Sequence, residues 1–259
     1  MNFLKRVIVA IIFIPALLWL YYTGGLYLMW FLGIVSALCT FELIKMNRQN
    51  SFDFTEVILT ICLFYFIVTD NLLKGFLIIF LTMICHGAIN VFLNGIEGAT
   101  NRISINLFYI IYPALGFGLL YRLSDFHVTL IPVLAVLIWL TDTFAYFVGM
   151  SVGKHRGFFK CSPKKSIEGF IGGFVFAYAG SIVVMWLYPQ VYSFKHIILL
   201  TVSAGLFGQF GDLFESIIKR DMGVKDSSNI IPGHGGVLDR FDSLLIAAPV
   251  MYYGLMVIS

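Results

Sequence analysis

The chain has 259 residues, of which 59% are hydrophobic and only 12% are charged, and its mean hydropathy is +0.92. Because soluble domains carry about 25% charged residues, this composition excludes an ordinary soluble protein and predicts a membrane bundle. The formal net charge of +3 does not indicate a nucleic-acid partner. The four cysteines form no Cys-x-x-Cys pair, so neither a zinc site nor a disulfide framework is expected.

Apolar runs along the chain predict an all-α fold, because a spanning helix needs about 20 mostly apolar residues. We predict a polytopic transmembrane bundle of about nine spans, with eight as the alternative because the third span is short. The predicted spans lie near Val7–Tyr22, Leu26–Ile44, Glu56–Thr69, Leu72–Phe92, Ser104–Tyr121, Val128–Met150, Glu168–Tyr188, His196–Ile218 and Leu238–Val257. The first span lacks a small-residue cleavage site, so we interpret it as an uncleaved anchor.

The distribution of basic residues predicts the orientation. With a cytoplasmic N-terminus and nine spans, only Lys74, Arg122 and Lys195 of the 17 basic residues lie outside. This asymmetry follows the positive-inside rule. We expect one integral membrane domain, in which residues 1–122 form scaffold helices and residues 123–259 form the catalytic region.

Acidic residues interrupt three of the later spans: Asp142 in the sixth, Asp212 and Glu215 in the eighth, and Asp239 and Asp242 in the ninth. Intramembrane acids are costly and usually face a bundle interior or a water-filled cavity. Acids that meet at one membrane face predict a divalent cation, because close like charges need a neutralising partner. The alternatives are a structural ion network with nearby basic residues and, for Asp142, an acid satisfied by adjacent threonine hydroxyls.

A glycine-rich loop between the eighth and ninth spans predicts a phosphate site. Its residues Gly235 and Gly236 permit close backbone approach, and successive amides before a helix form an anion-binding concavity. Basic residues flank the loop at Lys219, Arg220, Lys225 and Arg240. The alternatives are a simple tight turn and, for His234, a loop histidine without a chemical role.

A second basic loop, residues 151–167, precedes the seventh span. In it Lys164 and Lys165 stand beside Ser166 at a predicted helix start, which is an arrangement suited to phosphate. The alternative is that the basic residues retain the loop inside and contact anionic lipid heads. No Walker A sequence is present, so phosphate binding must use another device.

The pattern S-x-I-K-R-x4-K-D-x-S-x2-I-P-x-H-G-G-V-x-D-R-F-D over residues 216–242 resembles the signature of the phosphatidate cytidylyltransferases, or CDP-diacylglycerol synthases. The upstream S-P-K-K-S-x-E-G of residues 162–169 is similar to another segment of that family, and D-T-x-A-Y at 142–146 more loosely so. The resemblance implies that CTP and phosphatidate react to CDP-diacylglycerol and pyrophosphate. It also implies dependence on Mg²⁺, a homodimer, and a bacterial inner membrane location with the active site facing the cytoplasm.

The resemblance and the residue patterns together give a set of expected site residues. The expected catalytic residues are Asp212, Asp239, Lys219 and Arg220. The expected substrate-binding residues are Lys164, Lys165, Ser166, Lys225, Asp226, His234, Gly235, Gly236 and Arg240. The expected Mg²⁺ ligands are Asp212 and Asp239, with Asp142, Glu215 and Asp242 as further candidates.

Two other functions remain open from the sequence. A CTP-dependent polyprenol kinase would transfer the γ-phosphate to an alcohol and release CDP. An ion-coupled transporter would use Asp142, Asp212 and Asp239 for translocation and would consume no CTP. The dense basic motif at one face argues against the transporter, because a carrier needs access from both sides.

Overall fold

The computed structural model describes residues 14–47, 54–231 and 235–258. Within these ranges the chain is helical, and β structure is limited to two isolated bridges, Arg156–Ser166 and Ile231–Gly235. In chain order the helices are α1 (residues 14–23), α2 (Gly25–Met46), α3 (Thr55–Val68), α4 (Leu72–Asn94), α5 (Ala99–Arg122), α6 (Leu130–Ser151), α7 (Ile167–Leu187), α8 (Phe194–Asp221) and α9 (Leu238–Ile258).

The outer surface of the bundle is apolar, as expected of a protein that faces lipid. Large side chains such as Trp19, Trp30, Leu73, Phe92 and Trp186 are more than half exposed. Exposed apolar area of this extent is not tolerated by a soluble monomer. The chain is therefore an integral membrane protein.

The expected number of spans is not confirmed. Among the described residues, six helices are long and apolar enough to cross a membrane, namely α2, α5, α6, α7, α8 and α9. Helix α3 has only 14 residues, and the apolar part of α4 is also short. The first predicted span begins in residues that lie outside the described ranges, so the count of nine and the cytoplasmic N-terminus stay predictions.

Helix α5 lies at the centre of the bundle and packs against α2, α3 and α9. Small residues permit the close approach: a Cβ at Gly118 would lie 2.7 Å from Ile67 of α3, and one at Gly116 would lie 2.9 Å from the Leu245 carbonyl oxygen of α9. The N-terminal helices are thereby joined to the helices that carry the expected site.

The two ends of the bundle differ in character. At one end, Arg122 at the end of α5 pairs with Asp70 at 3.2 Å and with Asp125 at 2.6 Å. These ion pairs connect the α3–α4 turn to the segment after α5. At the other end, the last turns of α6 and α8 meet the first turns of α7 and α9, and the two basic loops lie there. The expected site residues belong to this second end.

Helix α8 changes its winding along its length. It is α-helical over Phe194–Leu200, a π-helix over Thr201–Gly208, and α-helical again over Gln209–Asp221. The Gln209 side chain supports this change, because its amide nitrogen donates to the Gly205 carbonyl at 2.5 Å and to the Phe170 carbonyl at 3.0 Å. Wide helical turns are frequent beside functional sites.

Candidate active site

A cavity of about 540 Å³ opens at the polar end of the bundle. It is lined by residues of α6, the 151–167 loop, α7, α8 and α9: Asp142, Ala145, Tyr146, Gly149, Met150, Arg156, Lys164, Lys165, Ser166, Gly169, Phe170, Gln209, Asp212, Asp239, Asp242 and Ser243. Four aspartates and three cations thus share one cavity, which can accept a polyanion together with a metal ion.

Lys219 joins two acids beside this cavity. Its Nζ donates to Glu215 Oε2 at 2.6 Å, one helical turn away, and to Asp239 Oδ1 of α9 at 2.5 Å. All three side chains are largely buried. This ion network is the structural alternative that the sequence analysis left open for Glu215. Glu215 does not line the cavity.

Asp239 is held on both of its oxygens. Besides the Lys219 bond to Oδ1, Oδ2 accepts hydrogen bonds from Ser227 N at 3.0 Å, Ser227 Oγ at 2.9 Å and Gly236 N at 2.8 Å. Such donors stabilise the charged carboxylate. The Gly236 amide, expected to contact phosphate, is therefore engaged with Asp239 in this structure.

Asp212 is more open than Asp239. Its side chain is 32% exposed, against 6% for Asp239, and its Oδ2 forms an ion pair with Lys165 of the 151–167 loop. Asp142 and Asp242 line the same cavity, and Asp242 Oδ1 accepts from Ser243 N at 2.6 Å. The cavity therefore holds carboxylate oxygens that differ in how free they are to bind a cation.

The close packing of α8 on α9 brings these aspartates together. A Cβ at Gly211 would lie 2.5 Å from the Asp242 carbonyl oxygen and 2.9 Å from Ser243 Cα. Only glycine fits at this crossing without moving backbone. Because Gly211 precedes Asp212, the crossing brings Asp212 into the cavity that Asp242 also lines.

Carboxylates of the cavity could hold a magnesium ion if a ligand's phosphates completed its coordination. Among the residues that the structure describes, no group of three or more acidic, histidine or cysteine side chains forms a preformed metal cage. Magnesium is typically held by one or two carboxylates plus substrate phosphates, so such a cage is not required. Asp212 and Asp239, which line one cavity, offer suitable oxygen donors.

The 151–167 loop is folded against the start of α7. Ser166 is the N-cap of α7, and its Oγ accepts from Gly169 N at 3.1 Å. Arg156 donates to the Gly149 carbonyl at 2.8 Å, which anchors the loop to the end of α6. Ser166 thus lines the cavity, but its hydroxyl oxygen already has a capping role, while Lys164 is exposed at the rim.

Several expected residues lie away from the cavity. Arg220 is exposed and donates to the Val224 carbonyl at 2.9 Å, and Lys225, Asp226 and Arg240 are exposed outside the cavity lining. Gly235 has a positive φ of 84° in the turn before α9. His234 lies outside the described residues.

Glu42 of α2 is a buried acid bonded to the segment before α9, and the sequence reasoning did not identify it. It is fully buried and accepts hydrogen bonds from Ser227, Ser228, Val237 and Leu238, in the segment that leads into α9. The available signal was the same one that singled out Asp212, namely an acid within a predicted span. Gln209, which lines the cavity, gave no comparable signal because an amide in a span carries no charge.

The sequence was compared with protein families and with curated proteins. A sequence model of the cytidylyltransferase family matches residues 4–258. A phosphatidate cytidylyltransferase of Staphylococcus saprophyticus is 33% identical over 96% of this chain and 95% of its own length. One of Staphylococcus aureus is 33% identical over the same shares, and one of Bacillus subtilis is 44% identical over 53% of this chain and 51% of its own. The chain belongs to the cytidylyltransferase family.

Proposed function

We propose that this protein is a phosphatidate cytidylyltransferase, which transfers CMP from CTP to phosphatidate and releases pyrophosphate. The relatives that carry this name span nearly the whole chain. The observation that carries the proposal is the cavity at the bundle end, in which Asp212, Asp239 and Lys165 line one space.

The proposed reaction needs cations that neutralise the two negatively charged substrates more than it needs a general base. The phosphate of phosphatidate is already anionic at neutral pH and attacks the α-phosphorus of CTP, forming one P–O bond while the bond to the leaving pyrophosphate breaks. Both reactants are negative, so they must be held together by cations. Lys164, Lys165 and Arg156 line the cavity and are suited to bind the phosphate oxygens.

Magnesium completes the proposed site. Bound to Asp212 and Asp239, it would neutralise phosphate charge and orient the attacking and leaving oxygens. In the described structure Lys165 and Lys219 neutralise these two aspartates. We propose that the Lys165 ammonium group, which lines the cavity, turns to phosphate oxygens in the substrate complex, so that Asp212 is released to the cation.

We further propose that the cavity faces the cytoplasm from a bacterial inner membrane, and that the protein is a homodimer. CTP is a cytosolic nucleotide, and the acyl chains of phosphatidate remain in lipid, so the reaction belongs at this boundary. The excess of basic residues in the predicted inside segments supports that orientation. Bacterial relatives support the location.

The decisive experiment supplies purified protein in lipid nanodiscs with CTP, phosphatidate and Mg²⁺, and identifies both products. We expect CDP-diacylglycerol and pyrophosphate in equal amounts, and no product without Mg²⁺. An Asp212→Asn variant serves as the inactive control. CDP together with a phosphorylated lipid alcohol, formed from a polyprenol, would instead identify a kinase, and solute flux without CTP consumption would identify a transporter.

A further inference from the structure

Glu42 ties together the segment that leads into α9, although it belongs to α2. Its Oε1 accepts hydrogen bonds from Ser228 Oγ at 2.5 Å and Val237 N at 2.9 Å. Its Oε2 accepts from Leu238 N at 2.8 Å and Ser227 Oγ at 2.9 Å. One buried carboxylate therefore joins Ser227 and Ser228, within the loop between α8 and α9, to the start of α9.

The Glu42 partners explain how a buried charge is accommodated. Val237 and Leu238 supply amides at the N-terminus of α9, where the first N–H groups have no helical partner. The positive end of the helix dipole also favours an anion there. Among the described residues, no basic side chain pairs with Glu42, so neutral donors and the helix end carry this role.

Ser227 links Glu42 directly to Asp239. Its Oγ lies 2.9 Å from Glu42 Oε2 and 2.9 Å from Asp239 Oδ2. A hydroxyl carries a single hydrogen, so it donates fully to only one carboxylate at a time. A Cβ at Gly236 would lie 2.6 Å from Glu42 Oε1, so this position admits only glycine between the two acids. The placements of the two carboxylates are therefore coupled.

We propose that Glu42 is a positioning residue for the reaction: it holds Ser227, Ser228 and the start of α9 so that Asp239 keeps its orientation toward the cavity. Glu42 itself does not line the cavity. The inference rests on the proposed cytidylyl transfer, since Asp239 is the group whose function it would support. It assigns a role in the chemistry to the N-terminal half of the chain.

The test compares Glu42→Gln with Glu56→Gln. Glu56 is also a buried acid, and its Oε1 accepts from Asn106 at 2.7 Å, but it does not line the cavity. We expect Glu42→Gln to lower kcat about 10- to 100-fold, the range typical of residues that orient ligands, with KM for CTP changed less than about threefold. Glu56→Gln should keep kcat within about threefold of the unaltered protein.

A double-variant cycle separates positioning from general damage. If Glu42 acts on Asp239 through Ser227, the losses in kcat/KM from Glu42→Gln and Ser227→Ala will not multiply in the double variant. The proposal would be overturned if the kcat/KM losses of the two single variants multiplied fully in the double variant. It would also be overturned if Glu42→Gln were as active as Glu56→Gln. Should Glu42→Gln not fold, Ser227→Ala decides: a lower kcat at unchanged melting temperature supports the proposal, and an unchanged kcat contradicts it.

Hydrogen exchange gives a readout that does not depend on activity. We expect Glu42→Gln, and not Glu56→Gln, to speed amide exchange at Gly236, Val237 and Leu238. If the unaltered protein makes no CDP-diacylglycerol, the proposed function fails, while the exchange data still decide whether Glu42 orders this segment. Unchanged exchange in folded Glu42→Gln would refute the ordering role by itself.

Discussion

Lys165 and Asp212 form an ion pair that connects the 151–167 loop to α8. The two residues are 47 positions apart in the chain, and both are about one-third exposed. The pair lies in the cavity wall, where it neutralises an acid that would otherwise face three other aspartates. It also places a cation where the phosphates of a nucleotide would bind.

Replacement of Lys165 by alanine tests this dual role. We expect kcat to fall by about 10²- to 10³-fold, the usual cost of losing one donor that stabilises transition-state charge. Lys160→Ala is the matched control, because Lys160 is an exposed lysine of the same loop outside the cavity lining. Equal activities of the two variants, measured as CDP-diacylglycerol formed per minute, would contradict the role of Lys165.

Asp212→Asn and Asp239→Asn should both abolish Mg²⁺-dependent CTP turnover, but they should differ in stability. Asp212 is partly exposed, so its loss should leave unfolding by SDS nearly unchanged. Asp239 accepts several buried hydrogen bonds, and its loss should cost about 1–3 kcal/mol. Glu97→Gln, an exposed acid between α4 and α5, provides the control. Near-normal turnover by Asp239→Asn would defeat its assignment.

Lys219→Met should destabilise the protein, because it leaves Glu215 and Asp239 without their shared cation. Breaking a buried ion pair from one side typically costs about 3–5 kcal/mol. Adding Glu215→Gln removes one of the unpaired acids, so the double variant should regain part of that stability and none of the activity. SDS titration and product formation measure the two effects, and a double variant no more stable than Lys219→Met would argue against this network.

Gly211→Ala should separate α8 from α9, because the added methyl group meets the backbone of Asp242 and Ser243. Overpacking of this kind costs about 1–3 kcal/mol, and the shift should also lower activity. Gly208→Ala is the control in the same helix, since its Cβ would lie at an ordinary contact distance of 3.4 Å from Ile138 Cγ1. Similar melting temperatures for the two variants would show that the crossing tolerates a side chain.

Much of the site was predictable because charges are rare in apolar spans. Asp142, Asp212, Asp239 and Asp242 were identified from this rarity, and the structure brings all four to one cavity. The partner of Asp212 was not predictable, because Lys165 reaches it only through the packing of α7 beside α8. Local spacing indicates pairs within one helix, whereas pairs between distant segments depend on tertiary structure.

The division of the chain into scaffold helices and a catalytic region stays a prediction. The first spans contain few charges and are predicted to form scaffold helices, and within them Glu42 of α2 accepts hydrogen bonds from Val237 N and Leu238 N at the start of α9. A helix that buries a single acid looks apolar by average hydropathy, so the average hides the one residue that matters. The membrane-spanning character followed from composition, whereas the number of spans stays a prediction, because α3 has only 14 residues and a spanning helix needs about 20.

The π-helical stretch Thr201–Gly208 has a consequence for how α8 can be altered. A π-helix has more residues per turn than an α-helix, so residues after Gly208 point in other directions than a regular α-helix would give them. A helical wheel drawn from Phe194 with α-helical spacing therefore assigns Asp212 and Glu215 to the wrong face. The first part of α8, Phe194–Leu200, can therefore pack against lipid and protein neighbours independently of the part that carries the acids. We expect a deletion within this stretch to rotate the carboxylates about the helix axis relative to the first half of α8.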